Sequence, residues 1–164
     1  MIDYEKIARE EKAKQDAASL AATEKLKRDE ASLVFFKNIE VALAEEIQKA
    51  NPELAKYGLL TGHKTGGITT DQKRFDTQVR LTYGRAASCE VNFDQANSMI
   101  QVDMVMEQIG EVPVPPQKLA FCVGFTQTGT IAGKLEPGKE PTGRFAPKDI
   151  AEIVLAGLIR GHFE

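Results

Sequence analysis

The spacing of apolar residues changes along this chain from a helical period to a strict alternation. Residues 3–50 contain no Gly and no Pro and are rich in Ala, Glu and Lys, which are strong helix formers. From residue 32 onward, large apolar residues recur every three or four positions, which predicts a helix with one buried stripe. The stripe comprises Phe36, Ile39, Leu43 and Ile47. We expect the helix to end at Asn51, because Pro52 disfavours helical geometry in the residue before it.

The first part of this helix, residues 3–30, has too little apolar surface to be held in place by burial. Its only large apolar residues are Tyr4, Ile7, Leu20 and Leu26. Leu26 and Leu33 share a heptad register, but Glu40 interrupts it, so the pattern does not favour a strict coiled coil. We therefore predict that residues 1–31 form an exposed helical extension, either frayed or packed on another chain. Residues 32–164 are predicted to form a single α+β domain.

Four runs of alternating apolar and polar residues predict strands with one buried face. Their inward rows are Phe75, Thr77, Val79, Leu81 and Tyr83; then Cys89, Val91 and Phe93; then Ile100, Val102, Met104 and Met106; then Leu119, Phe121, Val123 and Phe125. A further short strand is expected at 130–135, whereas 57–71 and 136–147 are predicted as loops. Pro147 suits the first turn of a C-terminal helix that ends near Gly161. Short connections favour an antiparallel meander of four or five strands, with both helices packed on one face.

Charge and composition narrow the functional classes for this 164-residue chain. A net charge of −3 argues against nucleic-acid binding, which is driven by an excess of basic residues. No stretch of about 20 mostly apolar residues predicts a membrane span. With two cysteines and no export signal in the first ten residues, a cytoplasmic location is expected. Residues 56–85 carry six basic and two acidic side chains, whereas 86–112 carry five acidic side chains and no basic one.

The sequence contains no strong catalytic or metal-binding motif, so an enzyme is not the favoured class and no cofactor is predicted. The segment from Gly58 to Thr65 departs from a phosphate-binding loop, because three residues separate Gly58 from Gly62 and His63 precedes Lys64. The alternation places Cys89 inward and Cys122 outward, which argues against a disulfide. Neither His63 nor His162 lies in a metal-ligand spacing.

The most plausible ligand site in the sequence is basic. His63, Lys64, Arg74 and Arg80 are candidate ligand-binding residues, with the nearby glycines allowing backbone amides to approach an anion. The alternative, which we favour, is that Arg80 and Arg74 pair with Glu90 and Asp94 on the neighbouring strand.

Three functional hypotheses follow. The leading one is a non-catalytic, homo-oligomeric interaction module that contacts itself or another protein through the N-terminal helix. The second is a small-ligand binding domain, with an apolar pocket between helices and sheet for an anionic or apolar molecule and with residues 58–67 at its mouth. The third is a small hydrolase or transferase that uses the 58–67 loop.

Overall fold

In the residues that the structure describes, one helix precedes seven strands along the chain and a second helix follows them. The computed structural model describes residues 1–60, 66–73, 77–84, 87–106 and 115–163, and the side chains of residues 72 and 73 are not described. The elements are α1 (Tyr4–Lys56), β1 (Ile68–Lys73), β2 (Gln78–Tyr83), β3 (Ala87–Asp94), β4 (Met99–Met106), β5 (Gln117–Thr126), β6 (Gly129–Leu135), β7 (Thr142–Phe145) and α2 (Pro147–Arg160). The fold class is α+β, as the sequence predicts.

The strands form one antiparallel sheet in the order β1-β2-β3-β4-β5-β6-β7, which is a meander. The predicted strand count of four or five is wrong, because segments within both predicted loops form strands. β1 covers part of 57–71, and β7 covers part of 136–147. Three of the four residues of β7 are exposed, so its sequence contains almost no apolar alternation and the strand depends on backbone pairing with β6.

Helix α1 is one continuous helix of 53 residues, and the predicted end at Asn51 is wrong. A proline inside a helix costs about 3 kcal/mol, because it removes one hydrogen bond and crowds the preceding turn. Tertiary contacts offset this cost. Leu54 is buried in the core, and the Asn51 amide pairs with the backbone of Ile68, with Nδ2 donating to the carbonyl at 2.9 Å and Oδ1 accepting from the amide at 2.8 Å.

The core lies between the helices and one face of the sheet. The docked stripe of α1, the apolar face of α2 and the inward strand residues belong to a single buried cluster. Most of the predicted inward residues are buried, among them Val79, Cys89, Ile100 and Phe121. Phe75 lies outside the described residues, and Phe125 at the end of β5 is 39% exposed.

Helix α1 leaves the sheet at Ser32. The Ser32 hydroxyl is fully buried and lies 3.1 Å from the hydroxyl of Ser98, in the turn between β3 and β4. Before this point α1 has little contact with the domain: every residue from Met1 to Arg28 is exposed, and Arg28 lies over the Phe125 ring at 5.8 Å. Residues 4–31 extend for about 42 Å at 1.5 Å per residue.

Candidate functional site

The structure describes only one of the four predicted ligand-binding residues. His63, Lys64 and Arg74 lie outside the described residues. Arg80 lies on β2, directly opposite Asp71 on β1 and Glu90 on β3, on the sheet face away from the helices. Its Nε is buried and has no hydrogen-bond partner among the described residues. The register places Arg80 directly across from Glu90, and the ion pair predicted between their side chains stays a prediction.

The two cysteines lie on opposite faces of the sheet, as predicted. Cys89 is fully buried in the core, and Cys122 is half-buried on the outer face. Burial, and to a smaller extent the charges of Asp103 and Glu90, raise the pKa of the Cys89 thiol to about 12. Cys89 therefore remains a neutral thiol at physiological pH, which is unsuited to nucleophilic chemistry.

Among the described residues, a candidate site is a cleft of about 590 Å³ between α2 and the strands β5, β6 and β7. Its position follows from the end of the meander, where α2 contacts β7 and faces residues of β5 and β6 across the cleft. The lining residues are Phe121, Lys134, Arg144, Phe145, Asp149, Glu152, Ile153, Ala156, Gly157, Arg160 and His162. They run along α2 from its first turn to beyond its C-terminus, which is about 16 Å of helix. We refer to this space as the α2 cleft.

The floor of the α2 cleft is aromatic. The rings of Phe121 on β5 and Phe145 on β7 meet edge to face, with centroids 5.4 Å apart and planes at 69°. The sheet register brings them together, because β6 lies between them and presents only the small side chain of Ala132 opposite Phe145. This surface is suited to the apolar part of a ligand.

Lys134 interrupts the inward row of β6. It is the direct cross-strand partner of Phe121, so both side chains lie on the helix side of the sheet. The same register turns Ile131, Gly133 and Leu135 to the outer face of the sheet. Pro141 lies against Gly133 there, and a Cβ added at Gly133 would stand 2.8 Å from the Cβ of Pro141. Lys134, which is half-buried, lines the α2 cleft from β6.

The C-terminal segment forms one wall of the α2 cleft. The Phe163 ring lies directly against Gly157 and leaves no room for a side chain at this position, because a Cβ there would collide with the ring. The Gln117 side chain on β5 holds this segment through both of its polar atoms. Its Nε2 donates to the carbonyl of Gly161 at 3.2 Å, and its Oε1 accepts from the amide of Phe163 at 2.7 Å.

Charged groups of both signs line the α2 cleft. Lys134, Arg144 and Arg160 are cationic, and His162 lies at the end of α2. The Asp149 carboxylate caps α2 by accepting from the amide of Ala146 at 2.9 Å. Glu152 lies 3.9 Å from the ammonium of Lys148, one turn earlier. The arrangement is suited to holding an organic molecule that has both an apolar and a polar part.

The sequence prediction did not identify these residues. Their one sequence signal is the basic excess of residues 113–149, which carry five basic and three acidic side chains. The apolar and polar pattern does not show that Lys134, Arg144 and His162 line one cleft, because that depends on how α2 is placed relative to the sheet.

Among the described residues, no group of three or more His, Cys, Asp or Glu side chains is arranged to hold a metal ion. In the same part of the chain, no helix is long and apolar enough to cross a membrane. Comparison of the chain with family models, with curated proteins and with solved structures finds no match in any of the three.

Proposed function

We propose that this protein binds a small organic molecule in the α2 cleft. The observation that supports this function is the combination of an aromatic floor, Phe121 and Phe145, with polar and charged groups around a space of about 590 Å³. Ligand sites typically have volumes of about 300–1,000 Å³, mostly apolar walls and a few polar groups that set orientation. This is the second of the three sequence hypotheses, located at the other end of the chain from residues 58–67.

The position of Ala156 allows a direct test. Ala156 lies on α2, is half-buried and lines the cleft, so that Ala156→Phe fills the space without removing any polar group. A matched control is Ala22→Phe on the exposed extension, which adds the same ring far from the cleft. Both proteins are compared with the unmodified chain by circular dichroism and thermal unfolding to establish that they are folded.

The probe is N-phenyl-1-naphthylamine, a neutral aromatic molecule whose fluorescence rises in an apolar site. We expect the unmodified chain and Ala22→Phe to bind it with the same affinity, and Ala156→Phe to lose binding. Equal binding by all three proteins, or no binding by the unmodified chain, would refute the proposed function.

A second candidate function is self-association through the helical extension, the leading sequence hypothesis. It is favoured by one observation: 28 consecutive residues, Met1–Arg28, are exposed, and Leu20 and Leu26 are each at least 60% exposed. The extension is helical in continuity with the docked part of α1, so a partner does not have to nucleate it. Residues 1–31 carry eight acidic and seven basic side chains, so two copies would not repel strongly.

Absolute mass in solution, measured by light scattering, tests this second candidate. We expect the full chain to be a dimer or larger, and both a chain starting at Ser32 and the variant Leu20→Glu/Leu26→Glu to be monomeric. A monomeric full chain at about 100 μM would refute self-association through the extension.

A further inference from the structure

We propose that two copies of this chain pair through α1 in antiparallel orientation, along the helix face that carries Leu20, Val34 and Val41. This inference rests on the second candidate function, self-association through the extension, and adds the face and the orientation of the two helices. It draws on the exposed apolar residues on one side of α1 and on the charges that lie between them.

The exposed apolar residues of this face continue from the extension onto the docked half of α1. Leu20, Val34 and Val41 are 62%, 57% and 57% exposed. They share one side of the helix, because they are separated by multiples of seven residues, and seven residues make almost two complete turns. Val34 and Val41 lie on the side away from the domain, since their neighbours Phe35 and Ala42 are buried. The back of the docked helix is therefore open to a partner.

The whole face follows steps of three and four residues along α1. It consists of residues 6, 10, 13, 17, 20, 24, 27, 31, 34, 38, 41 and 45, which we refer to as the outer stripe. All of these residues are exposed except Ala31, which is half-buried. Ala17 and Ala31 each precede a large apolar residue of the stripe by three positions. A small side chain beside a large one allows close approach when the second helix offers the opposite order.

The charges of the outer stripe favour the antiparallel orientation. Glu24 and Lys27 lie between its apolar residues. In a parallel pair, each would face the same residue of the other copy, so that like charges would meet. In an antiparallel pair that crosses between residues 25 and 26, Glu24 of each copy faces Lys27 of the other. Within the described residues, no ion pair involves either of these two side chains.

The same register matches the apolar residues near the crossing point. It places Leu20 opposite Ala31 and Val34 opposite Ala17, so that each large side chain meets a small one. A shift of one heptad in either direction would place Glu24 against Val34 or against Leu20. Burying a carboxylate against an apolar side chain is unfavourable, so the sequence favours one register.

The ends of the register bring the extension of one copy onto the docked half of the other. Lys6 faces Glu45, a further pair of opposite charges, and Glu10 against Val41 is the mismatched pair. From residue 6 to residue 45 the overlap extends over about 60 Å. Pairing thus gives the uncovered extension a partner along its length, on a helix face that the domain does not obstruct.

Two equally exposed leucines of the extension test the face. Leu20 lies on the outer stripe and Leu26 on another side of the helix, and they are 62% and 60% exposed. Leu20→Glu and Leu26→Glu make the same chemical change, so Leu26→Glu is the matched control. The dissociation constant of the dimer is measured by sedimentation equilibrium on the unmodified full chain and on both variants, after circular dichroism has established that all three are folded.

We expect Leu20→Glu to raise the dissociation constant at least about a hundredfold, because each dimer loses two buried leucines. Leu26→Glu should stay within about threefold of the unmodified chain, since its side chain lies outside the contact.

Crosslinking with a short bismaleimide tests the orientation. A Cys122→Ala background leaves Cys89, which is fully buried, as the remaining native cysteine. In the proposed register, Ala17→Cys of one copy faces Val34→Cys of the other, whereas two copies of the same variant have their added cysteines about 26 Å apart along the pair. We expect crosslinked dimers when the two variants are mixed and allowed to exchange, and none from either variant alone.

The outcomes distinguish this inference from self-association itself. If Leu26→Glu weakens the dimer as much as Leu20→Glu, or if neither variant weakens it, the proposed face is wrong while self-association stands. If Ala17→Cys alone crosslinks as readily as the mixture, or if the mixture does not crosslink, the antiparallel register is wrong. A monomeric unmodified chain in the light-scattering experiment would refute both self-association and this inference.

Discussion

The buried thiol of Cys89 makes the stability of this fold sensitive to alkaline pH. In the folded protein, desolvation by burial, followed in size by the charges of Asp103 and Glu90, raises the pKa of this thiol to about 12. In an unfolded chain a cysteine ionises near pH 8.5. Between these two values the unfolded state loses a proton that the folded state keeps, so the free energy of unfolding falls as pH rises.

The size of the effect follows from the linkage relation. Each pH unit above about 8.5 costs about 1.4 kcal/mol until the folded thiol itself ionises. At pH 10 the contribution of Cys89 is therefore a loss of about 2 kcal/mol relative to neutral pH. Domains of this size have total stabilities of about 5–15 kcal/mol, so a loss of this size is readily measured.

Urea unfolding at several pH values between about 7 and 10.5 isolates this contribution. Cys89→Ala lacks the thiol and loses some packing, which lowers its stability by a pH-independent amount. We expect its stability to fall less steeply with pH than that of the unmodified protein, with the two curves converging by about 2 kcal/mol at pH 10. Cys122→Ala is the matched control, because Cys122 lies on the outer face and is half-buried. Its curve should remain parallel to that of the unmodified protein.

Parallel curves for Cys89→Ala and the unmodified protein would refute the reasoning. They would mean that the folded state admits water or a charge to the centre of β3, in conflict with the zero exposure of this residue.

Three further predictions follow from the packing. A thiol reagent should label Cys122 in the folded protein and Cys89 only after unfolding, because the first is half-buried on the outer face and the second is fully buried. Asn51→Ala should lower the free energy of unfolding by about 2 kcal/mol in urea melts, because it removes two hydrogen bonds at the edge of β1. Gly157→Ala should cost about 1–3 kcal/mol by displacing the Phe163 ring, and Phe163→Ala in the same chain should remove most of that additional cost, as a double-mutant cycle will show.

Matched controls accompany the last two variants. Asn38→Ala changes an exposed asparagine of the same helix and should alter stability by less than about 0.5 kcal/mol. Gly124→Ala adds a methyl group where the nearest atom is 3.6 Å away, an ordinary contact, and should be tolerated. An Asn51→Ala protein as stable as Asn38→Ala, or additive costs for Gly157→Ala and Phe163→Ala, would contradict the contacts described.

The sequence predicted those elements whose residues alternate between core and solvent. Helix α2 and the inward residues of β2 to β5 were predicted correctly because an element with one buried face has apolar residues at regular intervals in its sequence. The sequence of β7 has no such pattern of apolar residues, because this strand has no buried row and Gly143 and Arg144 are exposed. The end of α1 was misplaced because Pro52 is a strong local signal, whereas the burial of Leu54 is a tertiary effect.

The candidate site was less predictable than the fold. Lys134 faces the helices because of the register between β5 and β6, and a local pattern would turn its apolar neighbours Ile131 and Leu135 inward instead. The α2 cleft also brings together two segments, one from the last strands and one from the C-terminal helix. Sequence alternation describes each segment by itself and does not give the angle at which they cross.

The strand order has a consequence for how this protein folds. Every strand pairs with its neighbour in the chain through a connection of two to ten residues, so each hairpin can close within microseconds. The contact between α1 and α2, in contrast, joins regions more than 90 residues apart. We infer that the sheet assembles in the rate-limiting step of folding and that the two terminal helices dock over it afterwards. Substitutions in β3 and β4 should then slow folding, whereas those on the docked faces of the helices should mainly accelerate unfolding.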